Sequence, residues 1–378
     1  MISRVLPASP TPRARAAYEH VLRYGPRSRA ELASVLGLSE ATLTRLSRKL
    51  LEDGLLRTLP VRRSSIGRPQ EPLDIAEDHA RFIGVKVTAS EVYAEVTTPR
   101  AEPREDVSLP LAGTDPDTVL ATAASVVRDL AQAHPRVAGV GVSLAGRVSA
   151  GRVLSSGLLG WDRPVPVEQL LGERCGMPVT VENDLYALLE GLQWFGIGRR
   201  YRSFVLVTVG AGVALGVVAD GQVITGASHL AGLTERFPTV LEEDGVPRPV
   251  TLRDVVVTGP LLDRAVAAGA IRAGGNADDL RAAVAAEAPA ALRVVRESAM
   301  AVGRVLGSAV ALLDPDGLLV GGETADLLLT AEDVLRAEVE AACSPRQTVP
   351  ELRPLADDFD AWARGGAVIA IRRFVRGW

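Results

Sequence analysis

Residues 28–56 read SRAELASVLGLSEATLTRLSRKLLEDGLL, and the rest of the chain is best understood from this stretch outward. Ser28 with Glu31 three residues on is a capping box, which predicts a helix from Arg29, and Leu32, Val35 and Leu36 give that helix an apolar face. Gly37 ends it and Leu38 turns back into a small core. Ser39 then caps a second helix, whose Leu43, Leu46 and Leu50 recur at the spacing of a buried stripe. Ala41, Thr42, Thr44, Arg45, Arg48 and Lys49 are left facing outward, small and donor-rich near the N-terminus and cationic beyond. Such a surface suits a helix whose first turns meet base edges while later side chains hold phosphates. The expectation is a helix-turn-helix that binds double-stranded DNA; an ordinary amphipathic helical hairpin is the bland alternative.

Residues 13–24, RARAAYEHVLRY, place Ala17, Val21 and Tyr24 on one face and supply the first helix of a three-helix head. After Gly54, the residues Leu55, Leu56, Thr58, Leu59 and Val61 alternate as the strands of a wing do. Its expected tip presents Arg62, Arg63 and Arg68 on a stretch kept extended by Pro69 and Pro72. Gly67-Arg68-Pro69 matches the core of peptides that enter the minor groove of A/T-rich DNA, where an arginine meets a strong negative potential. A solvated basic linker is the alternative. Residues 1–12, with three prolines and no periodicity, are expected to be a flexible tail.

Charge divides along the chain. Residues 1–75 carry 13 Lys and Arg against 7 Asp and Glu, whereas the remainder carries 29 against 39. A basic module joined to an acidic body fits a polyanion-binding head on a domain that does not itself bind nucleic acid. No run of about 18 apolar residues predicts a membrane span, and the N-terminus lacks the pattern of a secretory signal, so a cytoplasmic protein is expected. Cys175 and Cys343 stand far apart with no metal-ligand spacing, which argues against a disulfide framework or a structural zinc and for two buried small apolar side chains.

From Phe82 strands and helices alternate: two strands in FIGVKVTASEVYAEVTT, a helix at DTVLATAASVVRDLAQA, a strand at VAGVGVSLAG, a helix at VPVEQLLGERCG, a strand at MPVTVEND and a helix at LYALLEGLQWFG. A second run starts at Ser203 with a glycine-punctuated hairpin, then helices to near residue 312, a strand in ALLDPDGLLVGG, and helices at 324–342 and 361–376. Two α/β lobes with a cleft between them are expected.

Three segments carry a resemblance to a known family: VGVSLAGRV with the later Gly160-Trp161, PVTVENDLYALLEGLQWFG, and VTVGAGVALGVVADGQVITGASHLAG. They resemble the ROK family of sugar-responsive repressors and sugar kinases. The resemblance implies an α/β architecture in which an N-terminal winged helix-turn-helix (residues 13–75) precedes a two-lobed actin-like, RNase H-like ATPase fold. That body would span residues 80–378, with lobes at about 80–200 and 201–378. Carried over by position, Asn183 would hydrogen-bond sugar hydroxyls and Asp184 would take the proton from the hydroxyl being phosphorylated; the residues alone equally fit a helix N-cap. Gly146 and Trp161 are the other surviving positions.

The departures from the family bear on catalysis. Where its kinases carry Asp-Gly-Gly-Thr in the first lobe, this chain has Lys86 followed by Val87, Thr88, Ala89 and Ser90, and a lysine cannot replace a magnesium-binding carboxylate. The phosphate-loop glycines persist in part as Gly210 and Gly212, with Leu215 close behind. A sugar-contacting Glu becomes Leu233, a zinc- and sugar-contacting His becomes Arg236, and the cysteine-rich zinc loop gives way to TVLEEDGVPRPVTLRD. The expectation is a transcription regulator of carbohydrate or related metabolism, a repressor by the family's example, with no metal site and no phosphoryl transfer. Its cleft would sense a sugar or sugar phosphate, with His229 and Arg236 as anion contacts, or serve only for oligomerisation. An active hexose kinase with a DNA-binding head and a ligand-independent regulator are the rivals. Gly303 and Gly307, four apart beside Leu306 and Val310, would admit a neighbouring helix, and a homodimer or higher homo-oligomer is expected.

Overall fold

The computed structural model describes residues 11–60, 71–243, 246–355 and 359–377. The chain divides into two compact units: one takes the described residues up to 197 and from 359 onward, the other those from 198 to 355.

The first unit opens with the head. Helices α1 (Pro12–Tyr24), α2 (Arg29–Leu36) and α3 (Glu40–Glu52) are followed by the short antiparallel strands β1 (Leu56–Thr58) and β2 (Leu73–Ile75). The capping box forms as expected: the Ser28 amide donates to Glu31 Oε2 at 2.7 Å and the Glu31 amide to Ser28 Oγ at 3.2 Å. Gly37 closes α2 in the left-handed region at φ 62°, and Ser39 Oγ accepts the Thr42 amide to start α3. Two inward assignments shift. Val35 is 60% exposed while Ala33, on the other side of Leu32, is buried, and on α1 Tyr24 points outward and Tyr18 and Leu22 join Val21 in the core. A three-residue difference is only 300° round a helix, so a partial stripe read from a short segment is easily rotated by one position. The expected wing arginines Arg62, Arg63 and Arg68, with Gly67, and residues 1–10 of the expected tail over 1–12, lie outside the described residues, whereas Thr11 caps α1 and Pro12 is its first residue.

Strands β3 (Arg81–Val87), β4 (Glu91–Thr97) and β5 (Pro103–Pro110) form a meander; β5, an exposed edge strand, was not foreseen. Helix α4 (Pro116–Ala133) crosses to β6 (Val137–Leu144), a small hairpin β7 (Arg147–Ser149) and β8 (Arg152–Ser155) follows, and α5 (Val167–Cys175) leads to β9 (Val179–Asn183) and α6 (Asp184–Trp194). The sheet order is β5-β4-β3-β6-β9, with β6 and β9 parallel to β3. Trp161 is buried in the core beside the sheet, its indole N–H donating to Thr114 O at 2.6 Å.

The second unit repeats this plan. Strands β10 (Phe204–Val209), β11 (Val213–Ala219) and β12 (Gln222–Val223) make the meander. A two-stranded ribbon, β13 (Pro238–Glu243) with β14 (Val246–Thr251), occupies the stretch where only helices were expected. Helices α7 (Leu252–Val256), α8 (Thr258–Ala267), α9 (Ala277–Ala285) and α10 (Pro289–Leu313) then lead to β15 (Gly317–Gly321), α11 (Ala325–Leu329), α12 (Glu332–Ala342) and β16 (Glu351–Pro354). Its sheet order is β12-β11-β10-β15-β16, again with the last two strands parallel to the first. Gly303 and Gly307 do admit a close helix, but it is α12 of the same chain: a Cβ on either would press on Leu335, Glu338 or Ala342. Those glycines therefore carry no argument for an oligomer.

The closing helix α13 (Phe359–Arg376) returns to the first unit, so the lobe expected over 201–378 lacks its last helix. It lies directly on β3, β6 and α6. Glycines make the approach possible, since a Cβ at Gly84, Gly141 or Gly365 would overlap backbone atoms of the facing element. Cys175 and Cys343 are half-buried thiols, less enclosed than expected.

Candidate functional site

On the head, α3 presents Ala41, Thr44, Arg45, Arg48 and Lys49 to solvent, as the spacing predicted. Thr42 is half-buried, its hydroxyl 2.9 Å from Ser39 Oγ. Thr44 donates back to Glu40 O, and Lys49 pairs with Asp53 at 2.6 Å one turn on. Arg45 and Arg48 are exposed and form no ion pair among the described residues, which leaves two guanidinium forks available on the outer face. Arg29 Nε donates to Ser47 Oγ and ties α2 to α3.

The head is not strung on a linker. A single apolar core contains Tyr18, Leu22, Leu32, Leu43 and Leu50 of the head together with Phe82, Trp194, Ile371 and Phe374. Asp74, buried on β2, accepts from Arg57 at 3.2 Å and from Arg100 at 2.6 Å, while Arg100 also donates to Val21 O and Leu22 O at the end of α1. Those bonds hold the Asp74 carboxyl below its ordinary range against the opposing effect of burial.

His79 sits in this junction, its Nε2 3.0 Å from the Tyr18 hydroxyl and its ring near Phe374. Burial holds the imidazole below its ordinary 6.5 and pushes the Tyr18 phenol far up, so both are neutral at pH 7. Because the unfolded chain then binds the extra proton more readily, the stability contributed by neutral His79 is present above pH 6.5 and is lost as pH falls toward the folded value. The melting temperature of the wild type is expected to fall more steeply between pH 7.5 and 5 than that of His79→Gln; equal slopes would show that the imidazole is not the group responsible.

In the first unit's sheet, β9 and α6 bring the Asn183-Asp184 pair beside Lys86 of β3. Asn183 is the N-cap of α6: its Oδ1 accepts the Leu185 and Tyr186 amides and its Nδ2 donates to Gly146 O at 2.8 Å. Gly146 has no room for a Cβ, which would meet Ser155 O. Asp184 Oδ1 accepts the Leu185 amide, and Oδ2 accepts from Lys86 Nζ at 2.5 Å. Lys86 is only 7% exposed, and its ammonium lies 5.0 Å from the ring centroid of Trp362 on α13. The sequence marks Lys86 only as a missing magnesium ligand; its partnership with Asp184 and Trp362 joins residues far apart in sequence that no local pattern connects.

In the second unit, Gly210 and Gly212 form the tight link between β10 and β11, the Gly210 amide donating to Gly212 O. Each faces a carboxylate: the side chain of Glu323 lies over Gly210, and that of Glu235, paired with Arg253 at 2.7 Å, approaches Gly212. Leu233 is 62% exposed, Arg236 is exposed, and His229 is a half-buried residue in a left-handed turn at φ 53°. Among the described residues no three His, Cys, Asp or Glu side chains converge as a metal site.

Residues 82–234 match the ROK family model. The chain carries a ROK family domain. Relatives include the xylose repressor of Caldicellulosiruptor bescii, 23% identical over 54% of this chain and 53% of its own length. The DNA-binding transcriptional repressor Mlc of Escherichia coli is 22% identical over 88% of this chain and 87% of its own. The match to the xylose repressor thus spans about half of that relative, whereas the match to Mlc is nearly end to end. Among solved structures, a ROK family transcriptional regulator described as a homolog of the Escherichia coli Mlc protein superposes with a TM-score of 0.78 at 22% identity, over 96% of both chains. The fold is therefore a mixed α/β, actin-like ROK body carrying N-terminal helices that fit a DNA-binding head. No helix among the described residues is long and apolar enough to cross a membrane.

Proposed function

We propose that the protein is a sequence-specific DNA-binding regulator of carbohydrate metabolism, a cytoplasmic repressor that acts as a homodimer or higher homo-oligomer. Its head, residues 13–75, reads double-stranded DNA and its ROK body senses a sugar or sugar phosphate. The observation that carries this reading is α3: a helix capped at its N-terminus by Ser39, with Arg45 and Arg48 exposed, built into one core with the ROK domain. The names of the relatives support carbohydrate control.

The same reading has the body bind without transferring phosphate. A kinase of this type needs a carboxylate base free to take a proton and a divalent ion between carboxylates and phosphates. Here Asp184 is engaged by the Lys86 ammonium, and Lys86 stands where the magnesium ligand would be. The Glu323 carboxylate lies against Gly210, and the Glu235–Arg253 pair lies beside Gly212, so the glycine loop faces an acidic side chain where a kinase would receive a phosphate. Asn183, Asp184 and Gly146 remain the proposed ligand contacts in the first unit, with His229 and Arg236 as proposed anion contacts in the second.

The test is thermal unfolding in the presence of D-xylose, D-glucose and their phosphates. A ligand at a hundredfold excess over its Kd contributes about 2.7 kcal/mol to the folded state. The Asp184→Ala variant is expected to lose that gain. Sugar-dependent turnover of ATP by the wild type, abolished in Asp184→Ala, would instead establish a kinase that carries a DNA-binding head.

A further inference from the structure

Lys86 joins three elements at one ammonium: it belongs to β3, bonds Asp184 on the first turn of α6, and lies against Trp362 near the start of α13. The far ends of those two helices are both in the core of the head. Trp194, the last residue of α6, is 1% exposed, and the guanidinium groups of Arg23 of α1 and Arg372 of α13 lie 5.1 and 5.8 Å from its ring centroid. Arg23 also donates to Gln193 O. Phe374 and Val375 of α13 complete the apolar core around Tyr18 and Leu22.

Between these ends the helices are locked together. Arg372 pairs with Glu190 of α6 in a largely buried contact, and Gly365 lets the α13 backbone lie directly on that of Ala187. Where Gly365 meets Ala187 the contact is backbone on backbone and leaves no flexible side chain to absorb a shift, so the two helices are expected to move together. At 1.5 Å per residue α6 spans roughly 16 Å and α13 roughly 27 Å.

We propose that Lys86 is a coupling residue. It pins α6 and α13 at the ligand site, and a ligand oxygen that competes for Asp184 loosens the pin, so that both helices move as one strut against α1 of the head. An occupied site would then be read at the DNA-binding face through Trp194, Arg23 and Phe374. This rests on the reading of the pair as a ligand site and of the head as a DNA reader. Its test involves neither ligand nor DNA, so failure of those readings and failure of the coupling are distinguishable.

The experiment is hydrogen–deuterium exchange on the full chain, comparing the wild type with Lys86→Met/Asp184→Asn, which removes both charges and keeps the volumes. Lys86→Met alone, with Asp184 left unpaired, is the second variant. Exchange is expected to rise at least tenfold in residues 12–24 of α1 and 371–377 of α13 in the double variant, while β10 of the other unit, residues 204–209, is unchanged. A rise confined to residues near 86, 184 and 362, or an equal rise in both units, would overturn the proposal: the first means no transmission, the second a general loss of stability.

Discussion

Replacing Arg45 and Arg48 together by alanine is expected to reduce affinity for the preferred DNA site by on the order of 10²–10⁴-fold. Each exposed guanidinium that forks onto a guanine edge is worth about 1–3 kcal/mol of discrimination. Both lie outward on α3, three residues apart and free of ion pairs among the described residues, so neither must break an internal bond to reach DNA. Lys49 differs, since it pairs with Asp53 and would exchange one partner for another. The measurement is fluorescence anisotropy on the sequence that the wild type enriches from a randomised pool, and on a scrambled control, at several salt concentrations. Loss restricted to the enriched sequence supports base reading. Equal loss on both, with the salt slope falling by about one per arginine, would reduce these residues to phosphate contacts.

Trp194→Ala is expected to cost about 3–5 kcal/mol, the usual range for emptying a fully buried aromatic site. The site cannot collapse easily, because the guanidinium groups of Arg23 and Arg372 both lie against the ring and would be left as two cations beside the space it vacates. For a unit of about 200 residues this corresponds to a melting temperature lower by roughly 6–20 °C. Trp194→Phe is expected to recover much of the loss. Urea unfolding followed by circular dichroism measures it, and a loss below about 1 kcal/mol would show that the head and body do not depend on this contact.

Local chemistry was readable without coordinates. The capping box at Ser28, the glycine stop at Gly37 and the leucine stripe of α3 are decided by neighbours within four residues, and they form where the pattern placed them. The alternation of strands and helices likewise marks the inner strands of both sheets, because each βαβ step declares itself within about thirty residues, but it leaves out the edge strands β5 and β16. The misses are non-local. The exposed edge strand Pro103–Pro110 has no buried face to impose a pattern, and the Pro238–Thr251 ribbon has only weak alternation. The return of α13 to the first unit rests on glycines 84, 141 and 365, whose purpose shows only when the facing backbone is in place. At the candidate site, Asn183 and Asp184 were found through the family resemblance, and their capping role through their types. Trp362 as the cover of Lys86 was not, since it is reached from the other end of the chain.

Because Ile371, Phe374 and Val375 complete the core that holds α1 to α3, the head cannot be finished when its own residues leave the ribosome. Roughly 280 residues separate β2 from α13, and at about 5–20 residues per second their synthesis takes on the order of 15–60 s. During that interval the nascent head lacks its last apolar wall. A chain broken off before residue 359 therefore keeps all of α3 yet lacks the apolar wall that α13 adds to the shared core, and on the proposed reading incomplete translation products are expected to be poor competitors for DNA.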